Sequence, residues 1–216
     1  MDFQAAWQHF HGDHQPVGHL LETYAGWNLT RFHLLPDGRA NAHDNDELRY
    51  LLARYNKIAI ETLGEGEPCF MMILQTVNQN ASQTARLNRL KKRHQLDFAM
   101  SFHNASDKFA YAAYAGLSAW FNQRFNRELL HIYQHRLWDV LWMNARTGAT
   151  FRPYDAGADV SQPTPQALME LISRHYNWLP GDGSGFLRLD PAQMSSTRFE
   201  VTTSCAEAIR KAVGGR

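Results

Sequence analysis

Two cysteines in 216 residues are too few for a disulfide framework. Cys69 lies inside an apolar run and Cys205 near the far end, so both read as reduced, largely buried thiols. No charge of one sign dominates. Lys and Arg number 22 against 21 Asp and Glu, a net charge of +1, and no global field draws the chain to nucleic acid or anionic lipid. No apolar run approaches membrane-spanning length, and the opening MDFQAAWQHF has neither the basic region nor the apolar stretch of a secretory leader. A cytoplasmic protein without a membrane role is the expectation. Nucleophile signatures are missing too: there is no Gly-x-Ser-x-Gly elbow, and neither cysteine has a diagnostic context. The glycine-rich stretch Gly181–Gly185 is not a phosphate loop, because no Lys-Ser/Thr follows it. No internal repeat is evident. What the chain does have is 44% hydrophobic residues, 12% aromatics, six tryptophans and eleven histidines, which excludes general disorder. We read residues 1–216 as a single domain, with 181–216 as a C-terminal extension.

The stretch Leu137–Pro180 is the most legible. Trp138, Val140 and Trp142 share one period-2 face, with Leu137, Leu141 and Met143 opposite, the pattern of a strand covered on both sides. Ala145-Arg146-Thr147-Gly148 supplies a hairpin turn in which Gly148 takes a positive φ. Ala149–Tyr154 resumes as a strand, and Pro153 places it near an edge or at its end. A polar elbow, Tyr154–Asp159, follows. Thr164 then caps a helix that starts with Pro165 and carries Leu168, Leu171, Ile172 and His175 on one stripe.

Upstream, residues 2–11 fit a short helix with Phe3, Ala6, Trp7 and Phe10 on one face. Ala25–Leu35 reads as a strand, with Arg31 and His33 on one side and Phe32 and Leu34 on the other. Asp46–Leu63 has the three-and-four spacing of a long helix, capped by Asp44 or Asn45 and ended by Gly64. Cys69–Gln75 is apolar throughout, a central strand buried on both faces. Residues 77–93 are polar and basic but lack interleaved aromatics, so a solvated face is expected and nucleic acid is not. Leu96–Phe102 alternates like a strand. Residues 107–120 mix strand-favouring aromatics with helix-favouring alanines and fit either element. Phe121–Gln134 reads as helix, Phe199 and Val201 as a last strand, and 204–213 as a short helix. The fold class is α+β: a mixed or antiparallel sheet with helices packed on it, a C-terminal hairpin and a following helix.

Two constellations are candidates for chemistry. Asp155 and Asp159, four apart across the flexible Gly157, are candidates to converge on a cation or to act as acid and base. The competing reading has Asp155 accepting backbone amides of the turn and Asp159 ordering the approach to the next helix. His9, His11 and His14, with His19 close by, are weaker metal candidates. Their spacing matches no compact zinc signature, and Asp13 is the only carboxylate in the cluster. No cofactor is indicated.

PYDAGADV (153–160), preceded by LWDVLWMN and followed by a helix ending RHYNWLP, resembles a bacterial domain-of-unknown-function family, DUF3885. Tyr154, Asp155, Gly157 and Asp159 resemble its aromatic-Asp-x-x-Gly-x-Asp motif with one residue fewer before the glycine, and Tyr176 and Trp178 resemble the later Tyr-x-x-Trp with shifted spacing. RFHLLPDGRA and LLARYNKIAIETLG also look like parts of that family, extending the resemblance over Trp27–Leu179. It implies a small α+β bacterial cytoplasmic protein and supplies no activity, cofactor or catalytic residues. The functional expectation is therefore a non-enzymatic protein-binding or regulatory domain, toxin neutralisation included, that binds another protein or a second copy of itself. The alternative is a metal-assisted hydrolase using Asp155, Asp159 and a histidine.

Overall fold

In the computed structural model, residues 1–23, 27–76, 80–104, 108–180 and the backbone of 187–188 are described. Along the chain run α1 (Phe3–His11), β1 (Asn28–His33), α2 (Asn45–Leu63), β2 (Pro68–Thr76), α3 (Ala81–His94) and β3 (Asp97–His103). They are followed by β4 (Ala110–Ala119), α4 (Asn126–Tyr133), β5 (Val140–Asn144), β6 (Thr150–Tyr154), β7 (Gly157–Gln162), α5 (Pro165–Arg174) and the two-residue β8 (Leu187–Arg188). The strands form one sheet in the order β3-β4-β2-β5-β6-β7-β1-β8. Every neighbouring pair is antiparallel. The α+β expectation holds, including the hairpin that leads into α5.

Both faces of the sheet are covered. On one, Leu51, Tyr55 and Ile58 of α2, Leu129 of α4 and Leu168 and Ile172 of α5 pack on Met71, Ile73, Val140, Trp142, Phe151 and Val160. Trp120 anchors this layer, with Phe125, Trp142 and Phe151 at ring-centroid distances of 4.8, 5.1 and 5.4 Å. On the other face, Phe3, Ala6 and Trp7 of α1, with Val17 and Leu21 after it, cover Phe70, Met72, Leu74, Leu141 and Met143. β2 therefore feeds alternate side chains into two cores, as its apolar run predicts.

Local signals explain most boundaries. The Asp44 carboxylate accepts from the amides of Asp46 and Glu47 at the start of α2, and Gly64 ends that helix at φ 81°. Thr164 accepts from Ala167 N to start α5. In the β5–β6 turn, Asn144 Oδ1 accepts from the amides of Arg146 and Thr147, and Gly148 sits at φ 74°. At the β3 edge of the sheet, a register irregularity lies between Phe98 and Met100. At the strand's far end, Gln15 Nε2 donates to the His103 carbonyl (3.2 Å) while Gln15 Oε1 accepts from Asn104 (2.8 Å). A bulge and a side-chain cap blunt an edge against pairing with another chain.

Several expectations are corrected. β5 begins at Val140, not Leu137: Asp139 takes φ 48°, which breaks the extended run and leaves Trp138 56% exposed. The polar elbow Tyr154–Asp159 is a second hairpin, because Tyr154 pairs with Gly157 across a two-residue turn and Gly157–Gln162 continues as β7. Ala158 and Val160 supply its buried alternation on the helix-rich face, while Asp159 faces the opposite side. Pro153 is tolerated because β5 pairs only as far as Phe151. Within the ambiguous stretch 107–120, Ala110–Ala119 form strand β4, and α4 starts only at Asn126. The suggested strand at Phe199–Val201, the helix at 204–213 and the loop at 181–185 lie outside the described residues.

Gly148 is held by more than its φ, since a Cβ there would meet Phe10 Cγ at 2.5 Å. Gly148→Ala is expected to destabilise the fold by ~2 kcal/mol, read as a lower urea midpoint with an unchanged m-value.

Candidate functional site

On the α1 side of the sheet, the register of β6, β7 and β1 brings three charged residues into one row. Asp159 faces Arg31 across one pairing and Arg152 across the other. Arg31 Nε donates to Asp159 Oδ1 at 2.7 Å and its Nη2 to Oδ2 at 3.2 Å, while Arg152 Nη1 donates to Oδ2 at 3.0 Å. The Asp159 side chain is only 3% exposed. The Tyr154 ring lies beside both guanidinium groups, 5.2 Å from Arg31 and 5.6 Å from Arg152. Burial first, then the negative charge of Asp159, pushes the Tyr154 phenol well above its ordinary range, so it stays protonated. Gly18 lies over this group: a Cβ there would come within 2.6 Å of Arg152 Nε. A carboxylate clamped by two arginines has its oxygens occupied. These bonds tie β7 to both of its neighbouring strands.

Asp155 is placed differently. It sits in the β6–β7 turn, its side chain 43% exposed, and pairs with His135 Nδ1 at 3.0 Å. The Tyr55 hydroxyl donates to the carbonyl oxygens of Tyr154 (2.7 Å) and Asp155, fastening the turn to α2. The two predicted carboxylates thus have separate partners. His135 belongs to the loop between α4 and β5, where His135 (φ 53°) and Asp139 (φ 48°) both take left-handed backbone conformations. Leu137 is the loop's buried anchor, and Trp138, its ring 5.6 Å from that of His135, is turned outward. On the other flank His19 Nδ1 lies 3.5 Å from Asp139 Oδ1.

The N-terminal histidines divide. His9 is exposed at the end of α1 and meets the ring of Phe10 edge-on at 4.6 Å. His11 turns inward between Trp7 (4.4 Å) and Trp27, on which it stacks at 4.3 Å and 28°. The His14 carbonyl accepts from the Trp7 indole at 2.5 Å, and its ring lies 6.4 Å from Trp27. Burial drives the His11 pKa down to about 4, with the Gly148 backbone offsetting part of this and His14 adding to it. His11 is therefore neutral at pH 7. Among the described residues, no three His, Cys, Asp or Glu side chains come together as a metal-holding group.

Arg31, Arg152, Tyr154 and His135 are the residues that sequence reasoning did not assign to the site. The alternation in RFHLL places Arg31 opposite Phe32, but only the strand register matches it with Asp159.

Removing the shared carboxylate takes away the ion-pair partner that two mostly buried guanidinium groups share. Asp159→Ala is expected to cost about 3 kcal/mol in chemical denaturation, more than Asp155→Ala at its half-exposed turn. His11 also makes stability pH-dependent. Its folded pKa of about 4 lies below the ordinary 6.5, so its contribution is complete above pH 6.5 and shrinks as pH falls towards 4. Urea midpoints of wild type and His11→Phe, compared across that window, should show wild type losing ground on acidification.

No curated protein matches the chain, and no solved structure matches it. A family model matches residues 17–182, taking in β1, the central strands, both hairpin turns of the β5–β7 meander and α5. With most of its length matched, the chain belongs to the DUF3885 family, described as a domain of unknown function.

Proposed function

We propose that this domain is a non-enzymatic protein-binding or regulatory module, and that the loop between α4 and β5 is its contact surface. The observation that carries this reading is Trp138, held 56% exposed on a loop with two residues at positive φ. Strained backbone that presents a large aromatic side chain is a recurrent feature of contact surfaces, where Trp supplies much of the binding energy. His135, its ring 5.6 Å from the indole, its partner Asp155 and the adjoining Asp139 supply groups able to form a polar rim. Neutralisation of a toxin is one role such a surface would serve. A protein partner suits it better than nucleic acid: of the basic residues on α3, Arg93 bonds Glu128, Lys91 bonds Gln75 and lies over Tyr114, and Arg86 bonds the Arg136 carbonyl. A reducing, cytoplasmic setting agrees with the buried free thiol of Cys69, whose pKa burial pushes up to about 12.

The hydrolase alternative requires Asp159 to serve as base or ligand, and its clamp by Arg31 and Arg152 weighs against that. Two measurements separate the readings. Cross-linked complexes recovered from native cells with wild-type protein should be lost with Trp138→Ala while circular dichroism stays unchanged. Tag-free protein should carry no stoichiometric zinc or manganese. Metal at one equivalent, together with hydrolysis of model esters or phosphodiesters abolished in Asp159→Asn, would overturn the proposal.

A further inference from the structure

Where the end of α1 meets the start of β1, the β5–β6 turn and the end of β7, the fold forms a half-open pocket of about 260 Å³. His11, Trp27 and Phe10 form one part of its wall, and Asn28, Gln162 and Pro163 another. None of its lining residues is Asp, Glu, Lys or Arg, so nothing in the wall calls for a charged ligand. The Arg31–Asp159–Arg152 row lies farther along the same strands, beyond the Thr150–Ser161 hydroxyl pair (2.7 Å).

One atom in the wall lacks a partner. His11 Nε2 is buried without a hydrogen bond, although its ring is gripped between Trp7 and Trp27. Leaving such a group unsatisfied is costly, and native structures resolve most such cases with a partner group or an ordered water. The ring nitrogen left open is Nε2, and Gln162 and Asn28 (whose Nδ2 also donates to the Gln162 carbonyl at 3.4 Å) bring amides that both donate and accept. Flat apolar surface from Trp27, Phe10 and Pro163 completes a wall that suits a planar, uncharged molecule with alternating donors and acceptors on its edge. The volume admits a one- or two-ring heterocycle and excludes larger cofactors.

We propose that this cavity is a binding site for an uncharged heterocyclic base of the purine or pyrimidine class, hydrogen-bonded to His11 Nε2 and to the Asn28 and Gln162 amides. The site is separate from the Trp138 surface, so either assignment can fail without the other.

The intact protein would be titrated with adenine, cytosine, uracil and hypoxanthine, following tryptophan fluorescence, because Trp27 is part of the wall, with calorimetry as the confirming measurement. At least one base should bind saturably with Kd below about 1 mM. His11→Phe, which keeps a flat ring between the two indoles, should weaken that binding at least tenfold. Gln162→Leu should weaken it as well, and serves as the second test if His11→Phe does not fold. Absence of saturable binding by all four bases up to about 10 mM, or binding unchanged in both variants, would show that the cavity holds only water and would overturn the proposal.

Discussion

Strand β2 sends Met71 and Ile73 towards α2 and α4 and sends Phe70, Met72 and Leu74 towards α1, so the sheet has no open face at its centre. Everything else in the fold follows from that two-sided burial. Helices from the middle and end of the chain must cover one side, and the short N-terminal helix with the segment after it must cover the other. Along the flank, where β6, β7 and β1 turn polar side chains towards the N-terminal segment, charges persist only if they are paired. Arg31, Asp159 and Arg152 meet that condition, and the alternation of the strands sets which residues take part.

The same condition decides the chemistry available to the hairpin. A carboxylate needed for catalysis must keep an oxygen directed at substrate, water or metal, whereas Asp159 spends both of its oxygens on guanidinium groups. Asp155 remains accessible, but as part of a turn fastened by Tyr55 and paired with His135. The loop that exposes Trp138 and the pocket in which His11 is kept neutral by burial between two indoles both lie apart from that clamp.

Tryptophans do different work at each place, and the sequence does not distinguish them. Trp120 and Trp142 fill the helix-side core, Trp7 and Trp27 enclose a histidine, and Trp138 is held outside. Period-2 reasoning assigned Trp138 to the face of Val140 and Trp142. The positive φ of Asp139 cuts that register one residue before the strand begins; aspartate tolerates that region better than most residues but does not by itself specify it. β4 was ambiguous for a related reason: its alanines are favourable in a helix, and only pairing on both sides, with β2 and β3, fixes them as a strand.

Periodicity, caps and turn residues in the sequence by themselves determined α2, β2, the β5–β6 hairpin and α5. These signals act between residues a few positions apart, and local backbone preferences and side-chain spacing suffice to express them. The second hairpin escaped because Asp159 puts a charge between Ala158 and Val160, and that charge becomes tolerable only when Arg31, 128 residues upstream of Asp159, is brought alongside. Tertiary structure alone decided that Asp155 and Asp159 part company, that His11 turns inward while His9 stays in solvent, and that Trp138 faces out. Each of these outcomes depends on which distant strand or helix supplies the neighbour, and the free energy of a buried charge or an unpaired imidazole is set by that neighbour and not by the residues beside it in the chain.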